Sequence, residues 1–359
     1  MPVSPPPPSA PPAALAWFGG RLATDLLEVR HADDAEAAAA VLDDVQRSGG
    51  WWAVVGTYEG AVTAARFGDV RPAPLPPASA PWPGLTATGW TSSLDRAEYV
   101  SACRQVRERI ARGQVYQVNV CRVLEHPLPA GVDLLGLAHQ VQAGNPAPYA
   151  GVVRLPGLEV VCASPELFLS RSGAQVVTGP IKGTATSADR MLAKDVDENI
   201  MIVDLARNDL SMVCRAGSVE VSDLLAVEQH PGLVHLVSRV RAVLAAGTGW
   251  PELWAATTPP ASVTGAPKSS ALRAIADLEP VPRGPYCGPI GWIDAGAGTA
   301  ELAVGIRTFW TAVDGGGQRV LRFGTGAGIT WGSRPEQEWQ ETELKARRLL
   351  HLAGPDGQV

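Results

Sequence analysis

Ala193-Lys-Asp-Val-Asp-Glu-Asn-Ile-Met-Ile-Val-Asp-Leu-Ala-Arg-Asn208 contains neither proline nor glycine and reads as a helix. Asp195 and Glu198 stand three apart, so they share one face of it. Ile200, Met201, Ile202, Val203 and Leu205 make much of the circumference apolar, which predicts burial. An acidic pair on a solvated stripe needs no partner, whereas a buried carboxylate needs a cation or hydrogen-bond donors. The closing helix, Glu336 to Leu352, repeats the pattern with Glu338 and Glu341, and Lys345 extends that stripe by a turn. Two carboxylate-bearing helices without a His or Cys ligand set suit a hard ion with oxygen ligands, Mg²⁺ before Zn²⁺. The Glu-x-x-His motif of a di-iron bundle is absent.

Outward from these helices, short strands and helices alternate. Asp33 to Gln46, Asp95 to Gly113 and Ser269 to Leu278 read as helices. Strands are expected at Trp51 to Val55, Val115 to Val123, Leu158 to Cys162, Leu167 to Arg171, Gln175 to Thr178, Leu233 to Ala246, Ile290 to Asp294, Ala300 to Ala312 and Arg319 to Phe323. Hairpin signals such as Asp314-Gly-Gly-Gly317 favour antiparallel pairing over a Rossmann sheet, hence an α+β fold. Residues 1–16 read as a disordered proline-rich tail, residues 17–83 as a short N-terminal part ending in a Pro/Ala-rich linker or long loop over 70–83, and residues 84–354 as the catalytic domain.

With 359 residues, 46% hydrophobic and 18% charged, the chain has the composition of a globular protein. A net charge of -6 argues against a non-specific nucleic-acid binder. Five scattered cysteines without a CxxC pair point to reduced thiols in a cytoplasmic protein rather than a disulfide framework or zinc site. No membrane-spanning run and no signal-peptide pattern is read.

Two glycine-bearing stretches invite a nucleotide reading. Gly324-Thr-Gly-Ala-Gly328 lacks the GxGxxG spacing, and Pro267 breaks a P-loop core in Thr264-Gly-Ala-Pro-Lys268. Either stretch can still offer backbone N–H groups to a carboxylate.

Ten segments in order resemble the chorismate-utilising enzymes, a family that includes anthranilate, aminodeoxychorismate, isochorismate and salicylate synthases. They are Gly113-Gln-Val-Tyr-Gln-Val-Asn-Val120, Ser164-Pro-Glu-Leu-Phe168, Gly179-Pro-Ile-Lys-Gly-Thr184, Glu198 to Asp209, His235-Leu-Val-Ser238, Ser262-Val-Thr-Gly-Ala-Pro-Lys268, Arg283-Gly-Pro-Tyr-Cys-Gly-Pro-Ile-Gly291, Gly305-Ile-Arg-Thr308, Gly326-Ala-Gly-Ile329 and Glu338-Trp-Gln-Glu-Thr-Glu-Leu-Lys345. The resemblance implies two orthogonal antiparallel β-sheets flanked by helices in four α/β/β/α layers, around a cleft for chorismate and Mg²⁺.

Three positions sort the members. Gln117 stands where water-adding members carry a Lys base, which implies ammonia as nucleophile. Glu166 matches the general acid for the C4 hydroxyl. Lys182 matches the Lys characteristic of aminodeoxychorismate synthases, where anthranilate synthases usually carry Ala. It implies covalent catalysis: the amine adds at C2 as the hydroxyl leaves C4, and ammonia then enters at C4 and expels it.

The resemblance further implies Glu198 and Glu341 as metal ligands, with Asp195 and Glu338 behind them. It implies Tyr286, Arg307 and Lys345 as substrate-carboxylate groups beside backbone donors of Gly326, Ala327 and Gly328. Gly183, Thr184 and Thr264 would line the cleft, and His235 would sit near the ring. No segment resembles a glutamine amidotransferase, so ammonia is expected from a separate subunit, and the implied product is 4-amino-4-deoxychorismate. Leu26-Leu-Glu-Val29 lacks the serine of the anthranilate synthase feedback stretch. The competing readings are anthranilate synthase component I and an inactive chorismate-binding relative acting as a binding protein.

Overall fold

A computed structural model describes residues 13–185, 193–230, 233–355 and 357. Along the chain run β1 (Leu15–Phe18), β2 (Arg21–Ala32), α1 (Ala35–Ser48), β3 (Trp51–Gly56), β4 (Val62–Pro72), β5 (Thr91–Ser92), α2 (Arg96–Ala111), β6 (Gln117–Pro127), α3 (Leu134–Gly144), β7 (Tyr149–Leu155), β8 (Leu158–Ser164) and β9 (Leu167–Ser172). They are followed by β10 (Gln175–Gly179), β11 (Ile181–Ala185), α4 (Ala193–Ser211), β12 (Glu220–His230), β13 (Leu233–Val243), α5 (Trp250–Thr257), β14 (Gly265–Ala266), α6 (Lys268–Leu278), β15 (Pro289–Asp294), β16 (Thr299–Val304), β17 (Thr308–Val313), β18 (Arg319–Ile329) and α7 (Pro335–Ala353).

Every strand pairing among the described residues is antiparallel. One ladder runs β6–β18–β17–β8–β7–β1–β2–β4–β3–β15–β16–β9–β10–β13–β12, with β5 and β14 on β6, and β11 following β10 along β13. The two expected sheets are thus hydrogen-bonded into one through β1 and β2. β2 turns the corner: its register on β4 shifts between Leu26 and Glu28, next to Asp25 at φ 63°, and such a bulge bends a strand. The two halves share one core, where Val118 and Val120 of β6 join Trp52, Val54 and Leu302. Helices α2, α3, α6 and α7 lie against the β6–β8 half, and α1 and α4 against the other, with α5 packed on both of these. The result is an α+β fold.

Helix ends follow their capping chemistry. Asp34 accepts the Ala37 N–H at the start of α1, and Asp95 and Glu98 form a reciprocal capping box on α2.

The structure corrects several expectations. Leu15 and Ala16, assigned to the tail, lie in β1 and pair with β2 and β7; residues 1–12 fall outside the described chain. Of the linker or long loop expected over 70–83, residues up to Pro72 belong to β4 and the rest is a loop packed on the body: Leu75 and Trp82 are buried, and Trp82 Nε1 donates to Ala353 O at 2.9 Å. The strand expected over Ala300 to Ala312 breaks into β16 and β17 at Arg307, whose φ of 52° no extended strand accommodates. Helices α3 and α5 and strand β12 were missed.

On α4 the buried stripe is Asn199, Ile202, Val203, Ala206, Asp209 and Leu210, while Ile200 is 48% exposed. Helical spacing, rather than the count of apolar residues, decides which side faces inward.

Candidate active site

Gly324 to Gly328 form neither a loop nor a turn; they are the end of β18, which outruns β17 after Phe323 and continues along β6. Gly324, Gly326 and Gly328 fall on one face of the strand. A β-carbon at Gly324 would collide with the Tyr286 ring. At Gly326 it would meet Cys121 Sγ at 2.6 Å, and at Gly328 it would meet Gln117 Nε2 at 2.5 Å and Lys182 Nζ at 3.3 Å. The alternating glycines therefore clear a strip of backbone on which these side chains converge. Gly326 O accepts from Lys345 Nζ at 3.0 Å. A residue's N–H leaves a strand on the same side as its C=O, so the Gly326 N–H also faces this edge. Ala327 is fully buried and, one residue on, turns its N–H and C=O the other way, toward Val120 of β6, so the structure does not offer it as the backbone donor the resemblance implied.

Lys182 lies in β11 opposite Leu236, and the register then shifts so that Thr184 faces His235. The bulge at Gly183 re-aims the strand directly after the lysine. Lys182 Nζ stands 3.8 Å from Glu198 Oε2, with the two side chains 16% and 12% exposed. Asn199 pins this approach: its Nδ2 donates to Leu236 O at 3.0 Å, and its Oδ1 accepts from Ser238 Oγ at 2.5 Å. Sequence reasoning missed Asn199; a lone amide inside an apolar helical run was its signal. Gln117 is 2% exposed, and its Oε1 has no hydrogen-bond partner among the described residues.

Glu166 sits between β8 and β9 and is 4% exposed. Its N–H donates to Ser164 Oγ at 3.1 Å, and its carbonyl accepts from Val304 N–H at 3.1 Å. Burial pushes its carboxyl up to about 7, against hydrogen bonds from Ser262 and Ile181 N–H and the charges of Lys182 and Lys345. It is thus poised to hold and release a proton near neutrality.

Glu338 is 4% exposed on α7 beside Cys103, whose thiol burial pushes up to about 12 with help from that carboxylate. Glu341 pairs with Lys345 Nζ at 2.6 Å. The side chains of Asp195, Gly183, Thr184 and His235 lie outside the described residues. Among the described residues, no three His, Cys, Asp or Glu groups gather at metal-binding distance. Arg307 is half-buried, has no carboxylate partner among the described residues, and has its pKa pulled down by desolvation. Thr264 is fully buried and uses its hydroxyl internally, donating to Pro260 O at 2.8 Å and accepting from Tyr58 OH at 3.3 Å.

Arg283 also escaped sequence reasoning. It is 1% exposed, pairs with Glu279 at 2.6 Å, donates to Asn119 O and Val263 O at 2.8 Å each, and lies 4.1 Å from the Tyr58 ring centre. Glu279 in turn accepts the Cys121 N–H at 2.8 Å. This knot ties β6, which carries Gln117 and Cys121, to the segment that carries Tyr286.

The chain matches the family model described as chorismate binding enzyme over residues 26–351. It is 32% identical over 317 residues to anthranilate synthase component 1 of Aeropyrum pernix, covering 85% of this chain and 70% of that one. It is 36% identical over 273 residues to aminodeoxychorismate synthase component 1 of Escherichia coli, covering 73% of this chain and 58% of that one. The solved 2,3-dihydroxybenzoate-specific isochorismate synthase of Bacillus anthracis matches with a TM-score of 0.76 at 25% identity, covering 94% and 95% of the two chains. No helix among the described residues is long and apolar enough to cross a membrane.

Proposed function

The chain belongs to the chorismate binding enzyme family, and from that premise we propose that it aminates chorismate at C4, as an aminodeoxychorismate synthase component I. The observation that carries this reading is Lys182 beside the Glu166 acid and above the glycine strip.

Chorismate's carboxylates would meet Arg307, Lys345 and the Gly326 N–H edge. A half-buried guanidinium without a carboxylate partner among the described residues supports an anionic ligand there. Glu166, protonated, gives its proton to the C4 hydroxyl, which departs as water. Neutral Lys182 adds at C2 as that bond breaks, and ammonia then adds at C4 and releases the lysine. Gln117 has no basic group, which suits ammonia rather than water as nucleophile.

Glu198 and Glu341 would hold Mg²⁺, with Asp195 and Glu338 behind them; an all-carboxylate donor set on α4 and α7 fits a hard cation. When bound, Mg²⁺ would neutralise and orient a substrate carboxylate. Ammonia would come from a separate glutamine amidotransferase, as the component 1 names of the relatives suggest. A cytoplasmic setting fits the five free, buried cysteines.

The second reading is anthranilate synthase component I, favoured by the relatives of that name. The two differ in the covalent step. Chorismate supplied with Mg²⁺ but without ammonia should leave an adduct of chorismate less water on Lys182, seen by peptide mass spectrometry. Turnover on adding ammonia, with Lys182 never modified, would reject the covalent role.

A further inference from the structure

Against Glu166 the structure holds a partly open cavity of about 30 Å³, lined by residues of α4, β9, β10 and the Thr257–Ser262 segment. Since one water needs roughly 10–15 Å³ on this measure, it accommodates about two. Its polar walls are Glu166, Thr178, Asp209, Thr257 and Ser262, and Ala206 lines it from α4. Ser262 shares this wall with Glu166 and helps to hold its carboxyl pKa down against burial. Asp209 accepts from Lys268 Nζ at 2.7 Å; the Asp209 side chain is 10% exposed and that of Lys268 22%, so the pair leads outward from the cavity.

The proposed chemistry gives this cavity a task. When the C4–O bond breaks, its electron pair leaves with oxygen, which takes the Glu166 proton and departs as water. Ammonia enters with all three hydrogens and becomes the product's ammonium group, and Lys182 is released neutral. Each turnover therefore leaves Glu166 as a carboxylate, one proton short, at a side chain 4% exposed. That proton has to return from solvent.

We propose that the cavity is a proton relay: water within it links Glu166 and Ser262 to the Asp209–Lys268 pair, which draws protons from solvent. Asp209 and Lys268 act through Glu166 and do not touch substrate. The inference rests on Glu166 as the acid and is independent of whether C2 or C4 is aminated.

Two variants test it, with folding checked by thermal unfolding. Asp209→Asn should lower kcat about tenfold at unchanged chorismate KM, as expected when proton delivery limits a general-acid step. Imidazole titrated in at fixed pH, ionic strength and ammonium should restore its rate and leave the unaltered protein indifferent. Ala206→Val narrows the cavity with the ion pair intact; it should lower kcat, leave KM alone and raise the solvent deuterium isotope effect. Unaltered kcat in either folded variant, or a loss in Asp209→Asn that ignores imidazole, overturns the relay. Glu166→Gln separates the two levels. If it turns over normally, the proposed function falls as well; if it is inactive while the cavity variants behave as the unaltered protein, only the relay falls.

Discussion

Lys182 Nζ and Glu198 Oε2 lie 3.8 Å apart, one on a strand just before a bulge, the other on a helix that Asn199 fastens to the neighbouring strand. That distance exceeds a direct hydrogen bond, so the two are neighbours without being locked together. A cation at Glu198 and a nucleophile at Lys182 can therefore act in one cleft.

Chelation tests the first half of that statement. Removing divalent ions should stop chorismate consumption, followed by its absorbance, and Mg²⁺ should restore it. Glu198→Gln should shift the Mg²⁺ requirement upward by tenfold or more, as loss of one carboxylate ligand implies. Full activity in excess chelator would contradict the metal assignment.

The pH profile tests Glu166. A carboxyl raised to about 7 is protonated below that value, so acid catalysis should operate at lower pH and fade as pH rises through about 7. Glu166→Gln should lose roughly 10²–10⁴-fold in kcat and this limb of the profile together. A profile that keeps its fall near 7 in the variant would assign the limb to another group.

Gly328→Ala would place a methyl 2.5 Å from Gln117 Nε2 and 3.3 Å from Lys182 Nζ. Gln117 would have to shift by about 1 Å and Lys182 by a few tenths, and a misplacement of about 1 Å beside the reacting atoms costs on the order of 10²-fold. Amination should fall by that order while the unfolding midpoint changes little. A fully active Gly328→Ala protein would mean that neither side chain needs its present position.

Arg283→Met removes one partner of a buried ion pair and leaves Glu279 uncompensated. Chemical denaturation should show a loss of about 3–5 kcal/mol. A loss below about 1 kcal/mol would show that Arg283 does not hold β6 in place.

How legible this was in the sequence depends on the kind of signal. The strands from Trp51 to Val55 and Leu158 to Cys162, and the helices of Asp95 and Glu338, carry period and capping locally, and they stand where expected. The break at Arg307 was invisible because the backbone there leaves the strand to bond with distant segments, Arg307 O with Ala163 N–H and Gly305 with Cys287 and Gly288. The glycines of β18 invited a nucleotide-loop reading because composition alone cannot show that Tyr286, Cys121 and Gln117 would lie across them. Asn199, Arg283 and the Asp209–Lys268 pair were missed for the same reason: each has partners fixed only by tertiary packing. Family resemblance supplied the roles proposed for Glu166 and Lys182; the fold added what surrounds them.

The regiochemistry of amination bears most directly on the central claim. Chorismate, Mg²⁺ and ammonium should be supplied with and without an aminodeoxychorismate lyase, and the products separated. The account predicts 4-aminobenzoate only when the lyase is present, and loss of that product in Lys182→Ala. Fluorescent anthranilate formed directly by the unaltered protein would contradict it.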